Sequence, residues 1–356
     1  MPTPRRFGRR SSARWPETLA GRGELICLAP ALLGPVPSTL ADAVTAAGPF
    51  PMLEALLGRA GRRLSTRADG ETLVRELAEP VPSAGGLLAA VFDVDEQSTC
   101  YRAAPTHLRP DRDRLLLFAG DALDPGDEDA THICRDFNRL FSEDGLSLRA
   151  EHGEWLLIAE QPLGPDLPPL SAVAGRYLDT VIPDDVEARP WRQLLNEVQM
   201  FLHDHPVNEA RQRRGELPIN GLWFWGGGQR GMAPLRLPAK RLYGDDSLAR
   251  GLAQASGESE HAPGLPVDRA LLDDGPTVVI WSDAERALLG GDAEAWLTSL
   301  QRFEAEMAGI FRDLAREYRG HVELRTGNGR VHVIGPSDRW RFWRRPRPLR
   351  DWLVIE

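Results

Sequence analysis

Short apolar runs of strand length alternate along this chain with segments of helical periodicity, and that alternation constrains the fold more than any other feature. ELICLA (24–29), GGLLAAVFDVD (85–95), RLLLFAG (114–120), WLLIAE (155–160), INGLWFW (219–225) and GPTVVIWSD (275–283) each read as a buried strand. FPMLEALLGRAG (50–61) reads as a helix. So does HICRDFNRLFSEDG (132–145), which follows an acidic loop (121–130) and stops at Gly145. Trp191, Leu194, Leu195, Val198, Leu202 and His205 recur at helical spacing, as do Trp296, Leu300, Phe303, Met307, Phe311, Leu314 and Tyr318. RLYGDDSLARGLAQASG (241–257) reads as a strand end and then a helix capped near Asp246 or Ser247. HVELRTGNGRVHVIG (321–335) reads as a hairpin turning at Asn328–Gly329. This alternation predicts an α/β fold, a mostly parallel sheet flanked by helices, with some antiparallel hairpins and a smaller α+β lobe.

A chain of 356 residues, 42% hydrophobic, can bury one large core or two smaller ones. The proline-rich tract QPLGPDLPPL (161–170) forbids helix and ladder alike. It is the expected linker between an N-terminal α/β lobe (21–160) and a C-terminal one (171–356), with residues 1–20 as a disordered basic tail. A formal net charge of −9 argues against a general nucleic-acid or anionic-membrane binder, and no apolar run reaches the ~20 residues of a membrane span. Cys27, Cys100 and Cys134 lie far apart with no CxxC spacing. That suits reduced thiols in a cytoplasm better than a zinc site or a disulfide framework. The expectation is a cytoplasmic protein without a cofactor.

The segment His203–Gly228, HDHPVNEARQRRGELPINGLWFWGGG, carries the most chemistry. Pro206 closes the preceding helix, Asn208 caps or turns, and Glu209–Arg214 make a short basic helix that Gly215 stops. Arg211, Arg213 and Arg214 bring guanidiniums together, which suits a carboxylate or phosphate. The following strand ends in Gly226–Gly227–Gly228, where bare N–H groups can approach an anion, at the kind of strand end where α/β sheets bind ligands. Asn208, Arg211, Asn220, Trp225, Gly226, Gly227 and Gly228 therefore form the candidate site for an anionic small molecule. The same residues also suit a tight turn and a solvated helix face. Trp223 and Trp225 project to one side of the strand and Leu222 and Phe224 to the other, so both faces are expected to be covered.

This segment, together with SLARGLAQASG (247–257), resembles the archaeal-type cofactor-independent phosphoglycerate mutases of the alkaline-phosphatase-like superfamily. Its Asn-x-Leu-Trp-Phe-Trp-Gly-Gly-Gly run is similar to the signature of their bacterial relatives, the RpfE-type regulatory proteins. Weaker likeness covers residues 49–61, 82–96, 290–304 and 344–349. The resemblance implies a mutase-like fold and, in the active enzymes, a Ser or Thr nucleophile beside two cations held by Asp and His at strand ends. Here Ala29–Pro30 stand where those enzymes have Asp-Gly, and Ser83 is followed by Ala84 and Gly85 instead of Asp. Trp281 takes a His position, Leu289–Gly290–Gly291–Asp292 keeps only Asp292, and Gly335–Pro336–Ser337–Asp338 falls where the final Asp-His pair belongs. Leucine, tryptophan, alanine and glycine do not ligate such cations. The expectation is a catalytically degenerate regulatory relative with no metal site. Two alternatives are an active mutase-type enzyme with a rearranged site and a nucleic-acid-linked regulator. The second would use RWRFWRRPRPLR (339–350), which interleaves arginines with aromatics but also suits a charged sheet edge.

Overall fold

The computed structural model describes residues 24–182, 184–231, 233–265, 275–317, 321–335, 337, 338, 341 and 343–355. The basic tail, Pro336, Tyr318, Arg339, Trp340 and Phe342 lie outside the described residues, as do the side chains of Phe311 and Leu314. The strands are β1 (Leu25–Leu28), β2 (Gly61–Arg67), β3 (Thr99–Asp111), β4 (Arg114–Phe118), β5 (Leu146–Glu151), β6 (Glu154–Ala159), β7 (Gly221–Gly228), β8 (Arg241–Tyr243), β9 (Glu260–Ala262), β10 (Thr277–Ile280), β11 (Val322–Arg325) and β12 (Asn328–Ile334). The helices are α1 (Ser38–Ala47), α2 (Pro51–Arg59), α3 (Gly70–Arg75), α4 (Ala84–Val91), α5 (Gly126–Phe141), α6 (Leu170–Val173), α7 (Arg189–His203), α8 (Pro206–Arg214), α9 (Ser247–Ser256), α10 (Asp283–Leu289) and α11 (Ala293–Glu317).

Seven strands form one sheet in the order β2-β12-β11-β1-β10-β8-β9, parallel from β11 through β9 and antiparallel at the β12 and β2 edge. A second, antiparallel sheet runs β4-β3-β6-β5, with β7 also paired to β3. Strand side chains alternate between faces, so each strand feeds two layers. Leu25, Cys27 and Val279 pack with α1, α2 and α11, whereas Ile26, Leu28, Val278 and Ile280 pack against α3, α4 and α9. Leu156 of β6 meets that same helical layer, while Trp155 and Leu157 turn the other way, towards α5 and α7. The result is helix, sheet, helix, sheet, helix: the α/β architecture expected from the alternation, with the smaller sheet as its second lobe. Among the described residues no single helix is long and apolar enough to cross a membrane.

Both sheets draw strands from either side of residues 161–170, since β7 pairs with β3 and β10 with β1. The proline tract is pinned to the core. Trp191 and Trp223 donate their indole N–H groups to Pro165 and Pro168 carbonyls, and Leu163 N–H donates to the Tyr101 hydroxyl. Prolines leave free carbonyls and no competing N–H, which makes such a tract a good acceptor strip for buried indoles.

Two local expectations need correction, and a third holds. The apolar run 85–95 is not a strand. Ser83 accepts from Gly86 N–H as the cap of α4, and a fully buried Leu/Ala helix has the same apolar profile as a buried strand. Helix α5 begins at Gly126, so the second half of the acidic loop is its start, where Asp127, Glu128 and Asp129 complement the helix dipole. The 322–334 hairpin forms as expected: its last ladder pair is Arg325–Val331, so the turn spans 326–330 with Asn328–Gly329 inside it. Gly327 (φ +75°) and Gly329 (φ +86°) supply the positive φ, while Asn328 pairs outward with β2 beside a register shift.

The first turn of α4 lies directly on the backbone of β3. A Cβ on Gly85 would sit 1.8 Å from the Cys100 carbonyl oxygen, a contact no side-chain rearrangement can relieve. Gly85→Ala is expected to destabilise the protein by about 3 kcal/mol. Gly231→Ala, whose Cβ meets nothing within 4 Å, should change stability by less than about 0.5 kcal/mol. Equal denaturation midpoints for the two variants would contradict this packing.

Candidate functional site

The segment 203–228 is mostly a structural staple. Helix α8 starts at Pro206 with His205 as its cap, so Asn208 lies inside the helix. Its buried amide donates to Leu202 and Ile219 carbonyls and accepts from Ile219 N–H, tying the end of α7 to the start of β7. Asn220 pairs with both backbone groups of Leu108, as a strand residue would, and so sets β7 against β3. Arg211 is only 1% exposed. Its guanidinium donates to the carbonyls of Leu217, Asp124 and Ala122 and lies 3.4 Å from Glu216. Arg214 pairs with Asp129 and with the same Glu216, so two of the three arginines meet on a carboxylate of the protein's own, while Arg213 donates to the Glu209 carbonyl.

The glycine run is used for close packing. Gly226 has φ +69°, and a Cβ there would lie 2.8 Å from Ala84 Cβ; one on Gly228 would lie 2.0 Å from Ser83 Oγ. The anion on Gly227 N–H is the protein's own Asp166 carboxylate, at 3.0 Å. Of the seven candidate residues, Trp225 faces a cleft.

That cleft, a cavity of about 360 Å³, lies where β8 and β10 end and the smaller sheet begins. Arg102 on β3 is its centre. It donates to Glu154 on β6 at 2.8 Å and to Glu71 on α3 at 3.2 Å. Glu71 also accepts from the Trp225 indole at 2.7 Å, with Arg102 stacked 5.2 Å from that ring, and Glu154 accepts from Ser247. Asp246 caps α9 through Leu248 N–H and accepts from Ser282. Glu285 accepts from Gly70 N–H at 2.8 Å. Arg286 and Arg302, on the cleft wall, are both held by Asp283.

Burial shapes the titration of these groups. It opposes the charge on Arg102, but Glu154, Glu71 and Asp246 outweigh it and hold the guanidinium above its ordinary pKa. Burial raises Asp246 against the pull of Arg102. Glu285 is raised to about 7, chiefly by burial, with Asp69 and Asp246 adding to it and Gly70 N–H opposing. Burial also pushes Cys27 and Cys134 up to about 12 and Cys100 to about 11, so no thiol is a ready nucleophile at neutral pH.

The donor set does not fit the two-cation centre that the resemblance implies. Glu71 and Glu154 are committed to Arg102, and Asp246 to a helix cap and a hydroxyl. Among the described residues no three His, Cys, Asp or Glu side chains come together to hold a metal. Asp292 caps the start of α11 through Ala295 N–H, Ser83 caps α4, and Asp338 is paired with Arg341. Sequence reasoning missed Arg102, Glu71, Glu154 and Glu285, which come from elements far apart in the chain. The one local signal was acidic residues just beyond the ends of two parallel strands, Asp245–Asp246 and Asp283.

An α/β protein with a cleft at the strand ends is the class this geometry defines. No protein-family model matches the chain. It distantly resembles archaeal cofactor-independent phosphoglycerate mutases. The 2,3-bisphosphoglycerate-independent phosphoglycerate mutase of Methanosarcina barkeri is 32% identical over 90 residues, and that of Methanosarcina mazei 30% over 91. Each match covers 25% of this chain and spans 22% of the relative's length. Among solved structures, the PH0037 protein from Pyrococcus horikoshii aligns with a TM-score of 0.46 and 15% identity, over 89% of this chain and 88% of that one. A cofactor-independent phosphoglycerate mutase from Thermoplasma acidophilum aligns at 0.38 and 16%, over 88% and 90%.

Arg211→Ala should lower stability by about 3 kcal/mol or more, because three carbonyls lose their donor and a void opens. Arg211→Lys should recover little, since one ammonium cannot span the three directions. Urea denaturation of both variants checks this. A carboxyl raised on folding keeps a proton that the unfolded chain has released. Stability contributed by Glu285 therefore falls as pH rises from the ordinary carboxyl range through about 7. Glu285→Gln should match wild type near pH ~4 and exceed it by up to about 3 kcal/mol near pH ~8. A gap that stays constant with pH would show the carboxyl to be solvated.

Proposed function

We propose that this chain is a catalytically degenerate, phosphoglycerate-mutase-like protein of alkaline-phosphatase-like architecture that acts in regulation by binding. The observation that carries the reading is Arg102. Its guanidinium supplies the positive charge among the cleft carboxylates, in the place where a mutase-type centre would need those carboxylates free. The likeness to RpfE-type proteins supports the regulatory part, and the three free, buried cysteines go with a cytoplasmic setting.

The lining also bears on the ligand. Asp69, Glu71, Glu154, Asp245, Asp246 and Glu285 face Arg102 and the rim arginines. That balance disfavours the phosphorylated or carboxylated ligand expected for this protein from its sequence, and suits amine or hydroxyl groups better.

One observation favours the rearranged-enzyme alternative: Glu285, a half-buried cleft carboxyl that its surroundings push up to about 7, has the character of a general acid or base. A single set of assays separates the two. Protein incubated with manganese and desalted should retain no stoichiometric metal and should not interconvert 3- and 2-phosphoglycerate. Turnover abolished by a chelator would overturn the proposal. Turnover that survives chelation but disappears in Glu285→Gln would establish the alternative.

A further inference from the structure

A second concavity, of about 620 Å³, lies away from the cleft and shares no lining residue with it. Its wall is built from Arg62 at the start of edge strand β2, from Arg341, Arg344, Arg345 and Arg347 in the C-terminal segment, and from Trp352. Arg341 is tied to Asp338 and to the Arg59 carbonyl. Arg344 reaches the Ala60 carbonyl, and the Arg62 guanidinium sits 4.5 Å over the Trp352 ring. Among the described residues no carboxylate forms an ion pair with Arg62, Arg344, Arg345 or Arg347. Trp352 is only 5% exposed, and its indole N–H has no acceptor among the described residues.

Charged residues beside an edge strand often do no more than discourage pairing with another sheet. That role does not need the charges to converge on one place. Here two distant segments bring guanidiniums onto one hollow, against their mutual repulsion and in a chain of net charge −9. Burial, followed by the like charges of Arg330, Arg347 and Arg344, holds Arg62 below its ordinary pKa. A group of unpaired cations kept together in this way is stabilised when an anion joins it.

We propose that this hollow is a binding site for a compact oligophosphate, either free or as the phosphate chain of a nucleotide. A linear di- or triphosphate carries three to four charges, roughly the number that Arg62, Arg344, Arg345 and Arg347 leave unmatched, and planar guanidiniums pair with its oxygens two at a time. Orthophosphate carries about two charges, fewer than the four guanidiniums offer. An extended nucleic acid would have to run on from the hollow over an otherwise acidic molecule.

The test is isothermal titration at low salt with sodium tripolyphosphate, ATP, orthophosphate and a single-stranded 20-mer. Tripolyphosphate should bind one to one, more tightly than orthophosphate, and weaken as salt is raised. Arg345→Ala/Arg347→Ala, whose side chains are exposed, should weaken it about tenfold or more without lowering the melting temperature. Arg62→Ala should act in the same direction. Binding of ATP with the same loss supports a nucleotide ligand; binding of tripolyphosphate without ATP supports a free oligophosphate. No binding of tripolyphosphate, or equal binding by the double variant, overturns the site. Tighter binding of the 20-mer than of tripolyphosphate overturns it in favour of a nucleic-acid surface.

Discussion

The guanidinium of Arg102 holds the cleft together. It reaches from β3 to Glu154 on β6 and Glu71 on α3, and through those carboxylates to Trp225 on β7 and Ser247 on α9. A partly buried ion network of this kind adds little net stability compared with apolar packing, but losing any one partner strands the others without compensation. Its contribution is geometric. It fixes how the smaller sheet meets the helical layer on the larger one, and hence the shape of the cavity between them.

The same network limits the chemistry of that cavity. A carboxylate engaged by a guanidinium and an indole is a poorer ligand for a divalent cation, and Glu71, Glu154 and Asp246 are engaged by such partners, by a cap or by hydroxyls. Positive charge in the cleft is covalently part of the chain and cannot be lost or exchanged. Acidic groups thus gather at the strand ends that form the cleft, and arginines at the β2 edge away from it.

Much of the fold is legible in the sequence because apolar periodicity reports burial directly. The core face of α7, that of α11 as far as Met307, and the strands β1, β6 and β10 all follow from it, while the Asp246 cap follows from an acidic residue standing just before a helical run. Where burial is complete, periodicity vanishes, and residues 85–95 then look the same as helix or strand. The candidate site was harder for a different reason. Asn208, Arg211 and Asn220 carry hydrogen-bonding groups that suit a ligand, but equally suit stray backbone groups at helix ends and sheet edges. Only the three-dimensional neighbours decide between these uses. Arg102 looks like any polar residue of a half-exposed strand until β6 and α3 bring their carboxylates to it.

The bare backbone contact between α4 and β3 has a bearing on how such a protein can vary. Where side chains separate two layers, volume can be traded between neighbours, and the spacing drifts as sequences diverge. At Gly85 there is no side chain to trade, because the Cys100 carbonyl occupies the space. The distance between the helical layer and the smaller sheet is therefore set by atoms common to every amino acid. Side chains elsewhere on the two layers can therefore change without altering their separation at this point, which leaves to the Arg102 network only the orientation of the layers about it.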